Sequence, residues 1–237
     1  MKPTDCYALK GRYAFKNEAK ARPTRPTLVK DAWRIVGGLS KPGKMPCYGY
    51  SIPAKECGIG SILRTIPGST CFECYARKGR YAFPNVEAAL YRRLESLSDP
   101  RWVDAMAFLV GRYGPYFRWH DSGDVQSLGH LEAIAEVAKR TPNVTHWLPT
   151  REYTIVKAYI AKHGAFPPNL IVRLSAHMVN GLAPTGYGLP VSTVHTGAIA
   201  DTYPSAYACP ASLREGQCGT CRACWLSTVK HVSYHKH

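Results

Sequence analysis

The chain has 237 residues, 45% of them hydrophobic and 20% charged, so it is long enough to build one large domain around a sizeable core. This composition excludes an intrinsically disordered chain. Thirty-one Lys and Arg against sixteen Asp and Glu give a formal net charge of +15, which favours nucleic acid, nucleotides or other polyanions as partners. A generic basic face that only aids solubility is the alternative.

The start of the chain lacks the apolar stretch of a secretory signal peptide. No apolar run in the chain approaches the roughly 18 residues of a membrane helix. We therefore expect a cytoplasmic protein without a membrane partner. The nine cysteines are poorly explained by disulfides in that reducing compartment, so we expect metal ligation or catalysis.

An internal repeat lies near the start of the chain. Residues 6–17 (CYALKGRYAFKN) and 74–85 (CYARKGRYAFPN) are identical at ten of twelve positions, at an offset of 68. The first copy is followed by a stretch of Pro, Thr and Arg that is typical of an extended linker. We interpret residues 1–40 as a basic N-terminal arm with a partial duplication. A second functional ligand at Cys6 is the alternative.

Strands and helices alternate from residue 48 onward. Short apolar runs predict strands at 48–52, 116–120, 144–148 and 170–174, and amphipathic spacing predicts helices at 84–97, from Asp99, at 128–139 and at 153–163. The strand starts at 116, 144 and 170 lie 28 and 26 residues apart with one helix in each interval, as in a parallel sheet or barrel. We predict an α/β fold with a partial parallel (β/α) barrel over residues 41–200 and a cysteine-rich, metal-cluster segment over 201–237.

Polar side chains follow three of the predicted strands, where chemistry collects in parallel α/β folds. We assign catalysis to His120, Asp121, Arg151, Glu152 and His177. We assign cofactor binding to Ser122, Gly123, Asp124, Thr150, Arg173 and Ser175.

The chemistry of three of these side chains leaves alternatives open. His120 could carry protons near neutral pH, or be a half-buried histidine bonded to Asp121 or to a carbonyl. Arg151 could clamp a carboxylate or phosphate with its planar pair of donors, or form an ion pair with Glu152. The charge of Arg173 lies among apolar residues of a strand, so it must be paired or line a polar interior.

The most specific metal-binding motif lies near the C-terminus. Cys218-x2-Cys221-x2-Cys224 allows one loop to wrap three corners of a cubane cluster, and Cys209, followed by Pro210, offers a fourth ligand. Bacterial ferredoxins have a similar run followed by Cys-Pro. Tetrahedral zinc is the main alternative, although structural zinc sites usually separate two C-x2-C pairs by a longer spacer. Unligated thiols are a third interpretation.

A second cysteine group is internal and has the spacing Cys57-x13-Cys71-x2-Cys74. Three thiolates leave one iron of a cubane cluster open to a substrate or cofactor. If Cys47 joins the group, the site becomes closed and suits zinc or a structural cluster.

Six motifs together resemble the phage gene product 88 family over roughly residues 40–237. They are CYA-x-KG-x-Y-x-FPNV (74–86), YFRWHDSGD (116–124), WLPTREY (147–153), NLIVRLSAHMV (169–179), CGTCRACW (218–225) and VSYHKH (232–237). That family occurs in bacteriophages and prophages and has no assigned reaction. The resemblance therefore implies a phage origin, a location in the host cytoplasm and the positions of sites.

A cysteine loop that ends C-x2-C-Y-A, after a first strand and ahead of β/α repeats, is similar to the radical S-adenosylmethionine (SAM) enzymes. This resemblance implies that the open iron chelates the methionine part of SAM. It also implies that the loop 121–124 grips the SAM amino group and that the C-terminal cysteines hold an auxiliary cluster. Thirteen residues separate Cys57 from Cys71, where that superfamily usually has three.

Two functions follow as hypotheses. The first is a radical-SAM-like enzyme with two 4Fe–4S clusters, SAM and an electron donor, which acts on a nucleotide, nucleic acid or peptide. The second is a non-catalytic module that binds nucleic acid or a host protein and is stapled by zinc or structural clusters. No motif indicates the substrate, the donor or the oligomeric state.

Overall fold

The computed structural model describes residues 28–236, which form one seven-stranded sheet and seven α-helices. The strands are β1 (Gly49–Tyr50), β2 (Tyr116–Trp119), β3 (Thr145–Thr150), β4 (Leu170–Val179), β5 (Val191–His195), β6 (Tyr207–Ala208) and β7 (His231–His235). The helices are α1 (Val29–Ile35), α2 (Gly58–Leu63), α3 (Pro84–Ser96), α4 (Trp102–Arg112), α5 (Leu128–Arg140), α6 (Tyr153–His163) and α7 (Ile199–Thr202). Most of the predicted N-terminal arm, with the first repeat copy and Cys6, lies outside the described residues.

All pairs of neighbouring strands run parallel, in the order β1-β2-β3-β4-β5-β7-β6. The predicted α/β class and parallel sheet are therefore confirmed. Within the described residues β1 and β6 are the two edge strands, so pairing between them does not close the sheet into a barrel. The strand at Leu170 is longer than predicted and continues through an irregular register between Ser175 and Val179.

Four helices lie close to their predicted positions, and three of them have a clear local signal at one end. Pro84 opens α3 at a position that needs no backbone N–H donor. Ser127 caps α5 by accepting a hydrogen bond from the His130 N–H at 3.1 Å. α6 ends at His163, and the next residue, Gly164, has a φ of 78°, which favours glycine. None of the helices within residues 28–236 has the length and apolarity needed to cross a membrane.

One face of the sheet packs against helices to form the main core. Phe117 and Trp119 of β2 and Leu148 of β3 are buried there together with apolar side chains of α3, α4 and α5. Helix α1 joins the same core through Ala32 and Ile35, so the described end of the predicted arm packs onto the domain.

The other face of the sheet, which we call the inner face, carries Tyr116, Arg118, Trp147 and Arg173. These residues alternate along β2, β3 and β4 with the core residues, because successive side chains of a strand point to opposite faces. The C-terminal cysteine-rich segment lies on this face. The ring of Trp225 is 5.6 Å from that of Tyr116 and 5.1 Å from that of Trp147.

The hydroxyl of Tyr50 joins three elements in the core. It lies 2.9 Å from the carbonyl of Val36 and 2.7 Å from that of Arg93, and it accepts a hydrogen bond from Trp102 Nε1 at 3.0 Å. The Tyr50 side chain is fully buried, so water cannot replace its hydroxyl as the hydrogen-bond partner of these groups.

We predict that Tyr50→Phe lowers the free energy of unfolding by about 2 kcal/mol, because it leaves a buried indole N–H and two carbonyls without this partner. Urea denaturation of the purified protein measures the loss. Tyr48→Phe is the matched control: its ring packs against Trp33 and Tyr113, and we expect a change within about 0.5 kcal/mol. Equal losses in both variants would contradict the assignment.

Candidate metal and catalytic site

The structure brings the three internal cysteines together. A Cβ on Gly60 would stand 3.5 Å from the Cys57 sulfur and 3.7 Å from the Cys71 sulfur. Burial raises the pKa of the Cys57 thiol, and the nearby charges of Asp124, Cys71 and Cys74 raise it further. The predicted trio therefore forms one group, and glycine at position 60 leaves room for its sulfurs.

Polar residues from the ends of β2 and β3 lie beside this trio. Asp124 accepts hydrogen bonds from Thr150 Oγ1 at 2.6 Å and from the Arg151 N–H at 2.9 Å. Arg151 in turn donates through Nε to Thr70 Oγ1 at 3.0 Å, and Thr70 directly precedes Cys71. The adjacent strand ends and the cysteine loop thus form one continuous site.

Glu152 holds the start of α2, which follows Cys57, through a hydrogen bond. Its carboxylate accepts a hydrogen bond from the Ile59 N–H at 2.8 Å, in the first turn of α2 and two residues after Cys57. Burial raises the pKa of Glu152 to about 7, with the charge of Asp124 adding to the shift. The predicted ion pair between Glu152 and Arg151 is not among the ion pairs of the described residues.

His120 has an unusual environment at the end of β2. Its φ is 54°, a left-handed conformation that side chains with a Cβ rarely adopt. The ring is buried against Trp119 and His130, and neither ring nitrogen has a hydrogen-bond partner among the described residues. The alternative of a histidine bonded to Asp121 is therefore wrong. Burial, with the charge of Arg118, lowers the pKa of His120 to about 3.

The loop after His120 is held in shape by its neighbours. Asp121 accepts a hydrogen bond from the Tyr81 hydroxyl at 2.7 Å, and Ser122 Oγ donates to the Ile52 carbonyl at 3.0 Å. Gly123 has a φ of 82°, and a Cβ there would lie 2.3 Å from Ile52 Cγ1. No residue larger than glycine fits at this position without moving the neighbouring segment.

Ser175 and His177 lie on β4 at the margin of the site. Ser175 Oγ accepts a hydrogen bond from Ser192 Oγ at 3.1 Å. The His177 ring stacks on Tyr153 at 4.4 Å between centroids, and its Nε2 is 3.3 Å from the Arg151 carbonyl. The His177 carbonyl accepts from the Thr70 N–H at 2.8 Å, so β4 supports the cysteine loop through its backbone.

The four C-terminal cysteines line one small cavity of about 20 Å³. Its wall consists of Cys209, Pro210, Ala211, Cys218, Cys221, Ala223, Cys224 and Trp225. The backbone N–H of Cys209 donates to the Ser233 carbonyl of β7 at 2.9 Å. The hydroxyl of Tyr234, also on β7, lies 3.2 Å from the Cys224 sulfur. Strand β7, which the sequence did not reveal, thus supports the C-terminal site.

Cys47 lies with the C-terminal cysteines. It is buried in a cluster with Trp147 and Trp225, against which Cys224 packs. Burial raises the pKa of the Cys47 thiol to about 12, although the charge of Arg118 opposes the shift. Cys47 therefore does not complete the internal site, which has three cysteines within the described residues.

Arg173 anchors the C-terminal segment to the sheet. Its guanidinium is fully buried and donates to the carbonyl of Val191 at 3.0 Å. It also donates to the carbonyls of Ala223, Leu226 and Val229 at 3.4, 3.3 and 3.0 Å. These partners are backbone carbonyls, and no ion pair of residues 28–236 includes Arg173. Its assignment to cofactor binding stays a prediction.

Several buried donors on the inner face have no acceptor in the described part of the chain. They are Arg118 Nε, Trp147 Nε1 and Arg173 Nε. Sulfurs of iron–sulfur clusters accept such N–H groups, so the donors fit a cluster at the C-terminal cysteines. Sequence patterns missed Arg118 and Trp147, because the strands YFRWH (116–120) and VTHWL (144–148) give no indication of what their side chains face.

Within the described residues, no three His, Cys, Asp or Glu side chains are arranged to hold a single metal ion. Cysteines that ligate different irons of a cluster stand further apart than those around one zinc ion, whose Zn–S bonds are about 2.3 Å long. The four C-terminal cysteines share the wall of one cavity.

Comparison with known proteins gives one match. A family model described as gene product 88 matches residues 28–227, a range that includes both cysteine groups and the ends of β2, β3 and β4. No curated protein and no solved structure matches the chain.

We predict that Glu152 makes stability fall as the pH rises. Its pKa is about 7 in the folded protein against 4.5 ordinarily, so the folded state holds a proton that the unfolded chain releases between these values. The contribution is fully present below pH 4.5 and is lost by about pH 7, a difference of about 3 kcal/mol.

Glu152→Gln should remove this fall of the free energy of unfolding with pH, measured by urea unfolding between pH 4.5 and 7.5. Glu132→Gln is the control with the opposite sign, because Lys162 and His163 outweigh partial burial and lower the pKa of Glu132. If wild type and Glu152→Gln give parallel pH profiles, the environment assigned to Glu152 is wrong.

Proposed function

The chain belongs to the gene product 88 family, and we propose that it is an iron–sulfur enzyme whose internal cysteine trio holds the reactive cluster. The observation that carries the proposal is the position of this trio. The loop that carries Cys57 and Cys71 is hydrogen-bonded to the carboxyl end of β3, through the Ile59 N–H to Glu152 and through Thr70 to Arg151. Asp124 binds Thr150 and Arg151 at the same place. This is where α/β folds place their chemistry.

Held by Cys57, Cys71 and Cys74, a 4Fe–4S cluster would supply one-electron reduction at an iron without a protein thiolate. The protein's own part is to position a ligand beside that iron. We assign Arg151 to the carboxylate of the ligand, since its guanidinium offers planar paired donors and its Nε is fixed by Thr70. Asp124 holds the Arg151 backbone through its N–H.

The reaction class that we propose is radical-SAM-like, with SAM as the ligand and an external electron donor. We interpret the parallel sheet as a partial (β/α) barrel whose inner face is covered by the C-terminal segment. Three features support this interpretation: the β/α succession from β2 to β4, the three-cysteine loop, and the polar loop 121–124 that follows β2. The substrate that we expect is a nucleotide, nucleic acid or peptide.

We propose that Cys209, Cys218, Cys221 and Cys224 hold a second 4Fe–4S cluster with no open iron. The cavity that they line and the unpaired donors around it support this assignment over zinc. A closed cluster of this kind serves electron transfer or structure.

The net charge of +15 favours a second candidate function. In this alternative the protein binds nucleic acid or a host protein without catalysis. Both cysteine groups then bind metal only to stabilise the fold. Colourless protein that contains zinc and binds nucleic acid with a steep salt dependence would support it.

We predict that Cys71→Ala and Cys221→Ala each lose about half of the iron and sulfide of wild type, because each removes a ligand of a different cluster. Analysis of anaerobically purified protein measures both elements together with zinc. Cys47→Ala is the matched control and should keep the full iron content, since Cys47 belongs to neither set of ligands. Zinc in place of iron in wild type would overturn the assignment.

We also predict that the reconstituted wild type releases 5′-deoxyadenosine from SAM under dithionite. Cys71→Ala should release none, because it lacks the reactive cluster, and chromatography of the quenched mixture measures the product. Wild type with both clusters intact and no product would exclude the radical-SAM-like reaction while leaving the cluster assignment in place.

A further inference from the structure

The second copy of the internal repeat, residues 74–85, lies beside the internal cysteine site. It forms two short 3₁₀ turns, and the rings of Tyr75 and Tyr81 contact each other with their centroids 5.9 Å apart. Both hydroxyls donate hydrogen bonds to Asp121 in the loop after β2, one to its carbonyl and one to its carboxylate. Because the copy also begins at Cys74, a molecule bound to these turns would lie next to the trio.

Three aromatic side chains of this part of the chain are exposed to solvent. Phe72 is 48% exposed, Tyr75 58% and Phe83 55%. Single exposed apolar residues are ordinary on a protein surface, whereas a group of them indicates a site of interaction. The hydrogen bond from Tyr75 to Asp121 fixes one of the rings, and a ring that is fixed beforehand loses less entropy on binding.

Positive charges lie between these aromatic residues. Lys78 and Arg80 are both exposed, and no ion pair of the described residues includes either of them. The single acidic residue within residues 72–83 is Glu73, which pairs with Lys236. The two cations are therefore available to a negatively charged ligand.

The same residue types recur in the first copy of the repeat. Residues 6–17 have tyrosine, lysine, arginine and phenylalanine at the positions that correspond to Tyr75, Lys78, Arg80 and Phe83. In the second copy these four residues are exposed, so the packing of the core does not require them. The repeat thus duplicates residue types that, in the second copy, are available to contact a ligand.

We use the name motif surface for the three exposed rings and two exposed cations, which are Phe72, Tyr75, Lys78, Arg80 and Phe83. We propose that the motif surface binds single-stranded nucleic acid and presents it to the internal cysteine trio. Aromatic rings stack on the faces of unpaired bases, and cations between the rings contact the phosphates. A duplex keeps its bases stacked on one another, so the motif surface should favour single strands.

The alternation of rings and cations, together with the net charge of +15, favours nucleic acid over a protein as the occupant. Binding of the strand does not require a cluster. Its role as the substrate does, and that part of the inference rests on the proposed function.

Fluorescence anisotropy with a labelled single strand of about twelve nucleotides, as DNA and as RNA, tests the proposal on the anaerobically purified full chain. Phe83→Ala should weaken binding about tenfold, because it removes one stacking ring. Phe108→Ala is the matched control: Phe108 is also exposed, at 36%, but it lies on α4, and the affinity should stay close to that of wild type. Phe72→Ala, with the same expectation as Phe83→Ala, is the second ring variant in case the loss of Phe83 disturbs the start of α3.

The salt dependence of the same binding tests the two cations. Each phosphate contact with a single strand contributes about 0.7 to the slope of log affinity against log salt, so Lys78→Gln combined with Arg80→Gln should reduce this slope by about 1.4. Lys139→Gln combined with Lys157→Gln removes the same charge from exposed positions on α5 and α6 and should leave the slope unchanged.

Wild type that holds its iron but binds no single strand, or binds a duplex equally tightly, would overturn this inference and leave the proposed function in place. Ring and charge variants with the affinity of wild type would overturn it as well. If these variants bind the strand normally but are reduced more slowly by an acidic electron-transfer protein, the motif surface receives the electron donor instead. Protein that binds single strands through this surface but contains no iron would support the binding surface and end the proposed function.

Discussion

The fold depends on how the positive charge on the inner face of the sheet is neutralised. Arg118 and Arg173 bring guanidinium groups onto this face, and neither belongs to an ion pair of the described residues. Arg173 is fully buried and Arg118 is half-buried, and a fully buried charge without a counter-charge costs several kcal/mol. Burial lowers the pKa of Arg173, and the nearby Tyr234 and Cys224 oppose this shift. A four-thiolate cluster, with a charge of about −2, would neutralise this face.

This constraint explains why the C-terminal segment lies where it does. Arg173 binds three of its carbonyls and so fixes the loop that carries Cys224. Strand β7 contacts the same loop through Tyr234, whose hydroxyl lies 3.2 Å from the Cys224 sulfur. Lys236, the residue after β7, forms an ion pair at 3.1 Å with Glu73 of the internal cysteine loop. The two cysteine sites are consequently parts of one structural unit, although they lie more than a hundred residues apart in sequence.

Local sequence patterns were sufficient for the parallel α/β core, whereas the assignment of the cysteines to two clusters stays a prediction. The helices at 84–96 and 153–163 have amphipathic spacing and clear ends, so short-range physics determines them. The strands after residue 190 have no such signal, because their stability comes from parallel pairing with β4 and from the cysteine segment. The location of Cys47 beside Trp225 and the position of Arg118 over the Trp147 ring depend on contacts between distant parts of the chain, which periodicity cannot reveal.

The central claim is that the chain holds one closed and one open iron–sulfur cluster. Mössbauer spectroscopy of anaerobically purified protein, recorded with and without SAM, tests it most directly because it distinguishes irons by their ligands. The claim predicts that about one iron in eight changes its spectrum when SAM is added, since only one of two cubane clusters has an iron without a thiolate. A spectrum that SAM leaves unchanged, or a protein that contains zinc and no iron, would contradict it.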